Sequence, residues 1–249
     1  MPEVLRRQNS HFYMARTLIL TWPNTVTIRP NRIYPSAMPR KLLIRTDEII
    51  YHITSRANNK EWFSLPLEDV WKICVDKLEA TYSQVPFELN AFVLMHNHYH
   101  MLVRTPMCNI DEVMFEFNRT LSQNLRKQTG RINRMFGGRY HWSLIENERY
   151  LFNVFKYVFQ NPLRKKLARR CEDYPHSTLH YQVNKKTFPV PLHTPIHVNF
   201  CDDDFLKWAN LKFSEVQRDC LRRGLKHAHF EINGIGPKRI SDFDAPVIW

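Results

Sequence analysis

Residues 87–105 read FELNAFVLMHNHYHMLVRT. Two apolar stretches, FELNAFVLM and HYHMLVRT, flank a two-residue break. Each is short and carries aromatic or β-branched residues, so the spacing predicts two strands joined as a tight hairpin. An isolated hairpin is at best marginal in water. This one must therefore sit in a larger sheet with something packed on it.

The rest of the chain supplies that sheet and its cover. IIYHITSR (49–56) is β-branched and aromatic, a strand. LEDVWKICVDKLEATY (67–82) sets Val70, Ile73, Cys74, Leu78 and Thr81 at helical spacing. IDEVMFEFNRTLSQNLRKQTG (110–130) begins with acids and ends with bases, as the helix dipole favours, and Gly130 stops it. FGGRYHWSLIEN (136–147) predicts a short strand after a Gly-Gly turn, and ERYLFNVFKYVFQ (148–160) an aromatic-rich helix. The order βαββαβ predicts an α+β fold, an antiparallel sheet with helices packed on one face.

The domain boundaries follow from changes in texture. Residues 1–40 form a basic N-terminal extension without clear period, either a mobile arm or a chain that truly starts at Met38, the second being favoured. Residues 41–184, where strand and helix patterns alternate, are expected as the main folded domain. Residues 185–201, with three prolines, are expected as a linker, and 202–249 as a helical extension (DDDFLKWANLKFSEVQRDCLRRGL, one or two helices) with a tail from 232.

Charge narrows the function. Among 249 residues, lysine and arginine outnumber aspartate and glutamate for a formal net charge of +12. The excess points to a polyanionic partner, nucleic acid first and an anionic membrane surface second. With six glycines and no GxGxxG or GxxxxGK motif, phosphate loops of those kinds are excluded. Five cysteines stand at 74, 108, 171, 201 and 220 without a CxxC pair, which argues against a zinc ribbon or disulfide framework and for a reducing cytoplasm. No apolar run approaches the ~18–20 residues of a membrane span.

Two clusters carry the chemistry. In a strand, residues two apart share a face, so His98 and His100 present two imidazoles on one side while Tyr99 packs on the other. That pair suits one divalent ion. The alternative is histidines used for packing. His96 has the same parity and could join them. In KYVFQNP (156–162), Tyr157 and Asn161 are four apart, on one face if helical. Against this, Tyr157 could be a core tyrosine, and Asn161 could cap a new basic helix, PLRKKLARR. Pro162 also disfavours helical geometry at Asn161.

HYH after AFVLMHN, with Tyr157 ahead of Asn161-Pro162, resembles the single-tyrosine HUH (IS200-like) transposases, and among them the REP-associated tyrosine transposases. YHITSRANNKEWF (51–63), FGGRYHWSLIENERYLFNVFKYVFQNPLRKKL (136–167) and YPHSTLHYQV (174–183) extend the resemblance over about 41–184. It implies a ferredoxin-like domain acting on single-stranded DNA, with His98 and His100 binding Mg2+ or Mn2+. Tyr157 would be the nucleophile and Asn161 the third ligand or an orienting group. The enzyme would cleave and rejoin DNA at hairpin sites, REP-like palindromes, through a 5′-phosphotyrosine. It would work in the cytoplasm, off the membrane, as a monomer or homodimer. The chain departs from the family at His96, where proline is usual.

Arg119, Arg126, Lys127, Arg131, Arg134 and Arg139, then Arg164, Lys165 and Lys166, are expected to track the DNA backbone, with Phe136, Tyr140 and Trp142 available for stacking. Lys156 or Arg164 would help deprotonate Tyr157. Two rivals remain open: a hairpin-binding relative whose catalysis has lapsed, and a metal-dependent hydrolase.

Overall fold

The structure is a computed structural model, and it describes residues 42–194 and 199–231. The N-terminal extension and the tail from 232 lie outside the described residues.

The first strand, β1 (Ile50–Arg56), leads into α1 (Leu67–Gln84). The hairpin follows as β2 (Glu88–Met95) and β3 (His98–Arg104). Next come α2 (Ile110–Thr129), β4 (His141–Ile145) and α3 (Glu148–Phe159). The four strands form one antiparallel sheet in the order β2-β3-β1-β4. This is the expected α+β arrangement, with ferredoxin-like strand order.

Local signals set the ends. Gly130 caps α2 at φ 67°, a left-handed conformation that glycine adopts without steric penalty. Asn147 caps α3, its side chain accepting from the Tyr150 amide. Strand alternation sorts the core. Tyr51, Ile53, Tyr99, Met101 and Val103 face one side and pack with Val70, Leu78, Phe117 and Leu121 of α1 and α2. That is the expected helical layer on one face.

The opposite face is covered as well. Val93, Met95 and Leu102 of the sheet pack there with Phe152, Phe155 and Phe159 of α3. Burying a Phe side chain is worth about 1.5–3 kcal/mol. The same cluster takes in Phe205 and Trp208 of α6 (Asp203–Asn210) and Leu221 of α7 (Glu215–Gly224). The C-terminal extension is thus two helices docked on α3. Ser214 and Gln217 close a capping box at the start of α7.

The segments between α3 and α6 are packed too. A single turn, α4 (Asn161–Arg164), follows α3, and α5 spans Thr178–Val183. The expected basic helix from Pro162 stops at Arg164, and Lys166 turns at φ 57°. In the stretch expected as a linker, Val190 is fully buried and the His193 amide donates to Leu89 O at 2.8 Å. Among the described residues no helix is long and apolar enough to cross a membrane.

Candidate active site

His98 and His100 stand on the α3 face of β3, both buried, with ring centroids 5.1 Å apart. Each ring has one nitrogen engaged. His98 Nδ1 lies 2.7 Å from Asn97 Oδ1. An amide oxygen only accepts, so Nδ1 carries the proton and Nε2 keeps its lone pair. His100 Nδ1 lies 2.9 Å from His52 Nε2, and those two rings stack at 5.2 Å. Burial pushes the pKa of His52 and of His98 down to about 3, and that of His100 well below its ordinary value. All three are neutral at physiological pH.

α3 brings Tyr157 against this pair, its ring edge-on to His100 at 6.0 Å. Asn161 keeps helical company with it. Gln160 is itself helical, and Asn161 Nδ2 donates to Tyr157 O at 2.9 Å. Asn161 therefore caps nothing; the shared face persists despite Pro162. With its NH2 committed, the Asn161 side chain has Oδ1 left as a donor. Two neutral imidazoles and an amide oxygen form a donor set that suits a divalent cation. Among the described residues no three His, Cys, Asp or Glu side chains gather to hold a metal.

His96 does not join. It sits in the β2–β3 turn, where its ring stacks on Trp62 at 4.6 Å. That turn is tied to the Trp62 loop by Phe63 N to His96 O at 3.0 Å and Asn97 Nδ2 to Lys60 O at 2.6 Å. Trp62 is 67% exposed.

Burial raises the Tyr157 pKa, and the charges of Arg164, Arg222, Arg56 and Arg218 oppose it. Lys156, expected as a helper, lies over the Trp208 and Phe213 rings at 4.5 and 4.8 Å instead. Sequence reasoning missed Arg56, Arg218 and Arg222. Arg56 ends β1 directly opposite His98, so its place in YHITSR was a usable signal. Nothing local marks the other two.

The expected DNA-tracking residues divide. Arg164 and Lys166 line a cavity with Tyr157 and Asn161, and the Arg164 and Lys165 charges act on His98. Arg119, Arg126, Arg134 and Arg139 instead line a groove along α2, on the other side of the sheet. Lys127 ends α2 exposed; Arg131 pairs with Glu61 at 2.9 Å and Arg119 with Glu116 at 2.6 Å. Trp142 is buried in the core under that layer, while Phe136 and Tyr140, largely buried, line the α2 groove.

Comparison with known proteins follows the same residues. The family profile "Transposase IS200 like" matches residues 45–161. A Haemophilus influenzae protein, provisionally named as a REP-associated tyrosine transposase, is 24% identical over 147 aligned residues, covering 51% of this chain and 84% of the relative. Two solved structures are similar at 18% identity. One is a REP-associated tyrosine transposase bound to a REP hairpin, with a TM-score of 0.48 over 64% of this chain and 94% of that one. The other is a Deinococcus radiodurans protein described as a transposase, with a TM-score of 0.33 over 48% of this chain and 92% of that one. The profile match takes in His98, His100, Tyr157 and Asn161, and over residues 45–161 the chain is similar to the IS200-like transposases.

Proposed function

We propose that this chain cleaves and rejoins single-stranded DNA beside hairpins, using Tyr157 as a nucleophile and a divalent ion, Mg2+ or Mn2+, held by His98, His100 and Asn161. The observation that carries this reading is the pair of neutral imidazoles, His98 and His100, with the His100 ring edge-on to that of Tyr157. The hairpin preference is carried over from the relatives, whose names tie them to REP elements.

A phosphodiester repels nucleophiles and has a poor alkoxide leaving group. A divalent ion, which His98, His100 and Asn161 would hold, would supply charge withdrawal at the scissile phosphate. The chain's own residues do the rest. Asn97 holds the His98 ring in the tautomer that leaves Nε2 free, and His52 orients the His100 ring through its Nδ1. Arg56, Arg164, Arg218 and Arg222 favour the Tyr157 phenolate. The phenol proton leaves to solvent, and Tyr157 Oη attacks phosphorus in line. The bond from phosphorus to the 3′ oxygen breaks, and that oxygen takes up a proton. The product is a 5′-phosphotyrosine and a free 3′-OH. Because one ester bond replaces another, a second 3′-OH can reverse the step and join strands.

The test is a covalent-adduct assay with Mn2+ and hairpin oligonucleotides taken from DNA flanking the chain's own gene. Wild type should give a denaturation-resistant protein–DNA band, absent from Tyr157→Phe and His98→Ala. A band that persists in Tyr157→Phe would overturn the assignment of the nucleophile. Hairpin binding without any band in wild type would favour the lapsed-binder alternative.

A further inference from the structure

We infer that the C-terminal extension, which lies beyond the family match, builds a pocket for the phosphate of single-stranded DNA next to Tyr157, with Lys212 and Arg218 as its contributed cations. The inference rests on the proposed reading of Tyr157 and names a subsite for the strand it would cut.

The cavity encloses about 260 Å3. One wall is Tyr157, Asn161, Arg164 and Lys166; the facing wall is Lys212, Phe213, Glu215 and Arg218. A volume of that size excludes a duplex and admits a group the size of a phosphate. Four of its lining groups are cationic and one, Glu215, is anionic, so it carries a net excess of three positive charges. Such a surface suits a polyanion backbone. Glu215 pairs with Arg218 along α7 and competes with an incoming phosphate.

The facing wall is fixed in place. Gln160, three residues past the tyrosine, donates through Nε2 to Ala209 O at 2.7 Å and to Leu211 O at 2.6 Å. Those two carbonyls end α6 and begin the 211–213 connection. Asn210 is held from the other side, accepting from the Cys171 amide at 2.8 Å and donating to Glu172 at 2.9 Å. Phe213 packs against the Lys156 ammonium at 4.8 Å. A connection tied at three consecutive residues presents Lys212 to the cavity with little freedom to lose on binding. The Arg218 and Arg222 charges also act on the phenol itself, which independently puts α7 beside the nucleophile.

The pocket is tested in the Tyr157→Phe background, where no chemistry occurs, so binding is read apart from cleavage. Fluorescence anisotropy compares a hairpin carrying a single-stranded flank with the same hairpin trimmed of it. Adding Lys212→Ala with Arg218→Ala should weaken the flanked oligonucleotide about tenfold or more. The slope of log K against log salt should fall by about 0.7 for each phosphate left without its cation. The trimmed hairpin should bind as before. Glu215→Gln should strengthen the flanked complex, a gain that misfolding cannot mimic. Arg223→Ala, which removes a charge from the same helix but not from this cavity, should leave both complexes unchanged. Unchanged flank affinity and salt slope in the double variant, or equal weakening of flanked and trimmed hairpins, would overturn the inference. Loss of the adduct band in wild type, with the flank effect intact, would instead count against the cleavage chemistry.

Discussion

His52 Nε2 and His100 Nδ1 approach to 2.9 Å inside the sheet, diagonally across the β1–β3 ladder, where His100 itself pairs with Thr54. The contact fixes which nitrogen of His100 remains available. A ligand imidazole whose other nitrogen is held gains both orientation and basicity, and losing such a partner typically costs 10–100-fold in metal affinity. His52→Ala should therefore weaken Mn2+ binding by about that factor in calorimetry, without DNA present. His52→Gln, which keeps a hydrogen-bonding group at the end of its side chain, should recover part of it. Equal Mn2+ affinity in wild type and His52→Ala would refute the positioning role.

The same burial makes the fold acid-sensitive. His52 and His98 titrate near 6.5 when unfolded and near 3 when folded. Between those values the unfolded chain binds more protons, so stability falls as pH drops below about 6.5 and is unaffected above it. Each such histidine contributes a slope of up to about 1.4 kcal/mol per pH unit in that window. Urea melts at pH 7, 6 and 5, in chelator, should show the decline, and His52→Gln should make it shallower by the share of one histidine. A wild-type stability independent of pH across this range would contradict the buried neutral state.

How much of this could be read from the chain depended on distance along it. The hairpin, both long helices and their stops were legible because strand alternation, helical spacing, Gly130 and the charged ends of α2 are local signals. So was the meeting of His98, His100 and Tyr157, though through resemblance rather than periodicity. Asn161 was half legible. Pro162 argued against a helix there, yet the chain keeps its turn because Gln160 and Asn161 take the helical bonds. Arg218 was not legible. Its place beside Tyr157 is set by the Phe155–Phe200–Phe205 stacking that docks α6 and α7, a packing no short window reveals. The extent to which the aromatics of the 136–142 stretch are buried was not legible for the same reason: it depends on α1 and α2 closing over them.

Burial of Tyr157 has a kinetic consequence. Its phenol is pushed upward by desolvation and pulled back by four arginines. At neutral pH the phenolate is the minor form, so adduct formation should rise about tenfold per pH unit between 6 and 9. Arg222→Ala should displace the profile to higher pH and slow the reaction at pH 7.5. Rapid-quench measurements with a saturating flanked hairpin would reveal this. A flat profile in wild type would mean that proton loss from Tyr157 is not limiting.

Trp62 stacks on His96 while leaving most of its surface in water. Because that turn also carries Asn97, the partner of His98, a base seated on Trp62 would lie beside the ligand pair. Base–aromatic stacking is worth about 1–3 kcal/mol by alanine substitution. Trp62→Ala should weaken a flanked hairpin five-fold or more with an unchanged salt slope, unlike loss of a cation. No change in affinity would leave the pair as a local packing contact.

Both edges of the sheet are occupied by the chain itself. Along β4, the Leu144 amide donates to Ala228 O and the Phe230 amide to Leu144 O, each at 2.8 Å. Along β2, Leu94 N donates to His176 O at 3.0 Å and Phe92 N to Thr178 Oγ1 at 3.0 Å. An open edge is a template for pairing with another copy, and these hydrogen bonds remove it on both sides. The free protein should therefore sediment as a single copy at micromolar concentration. Truncation after Leu225 uncovers the Leu144 amide and carbonyl and strips Phe230 from the α3-side core. That variant should self-associate as its concentration rises, whereas the full chain should not. A dimer formed by the intact chain would have to use another surface, and the α2 groove, with its exposed Phe115, would be the first place to introduce a charge.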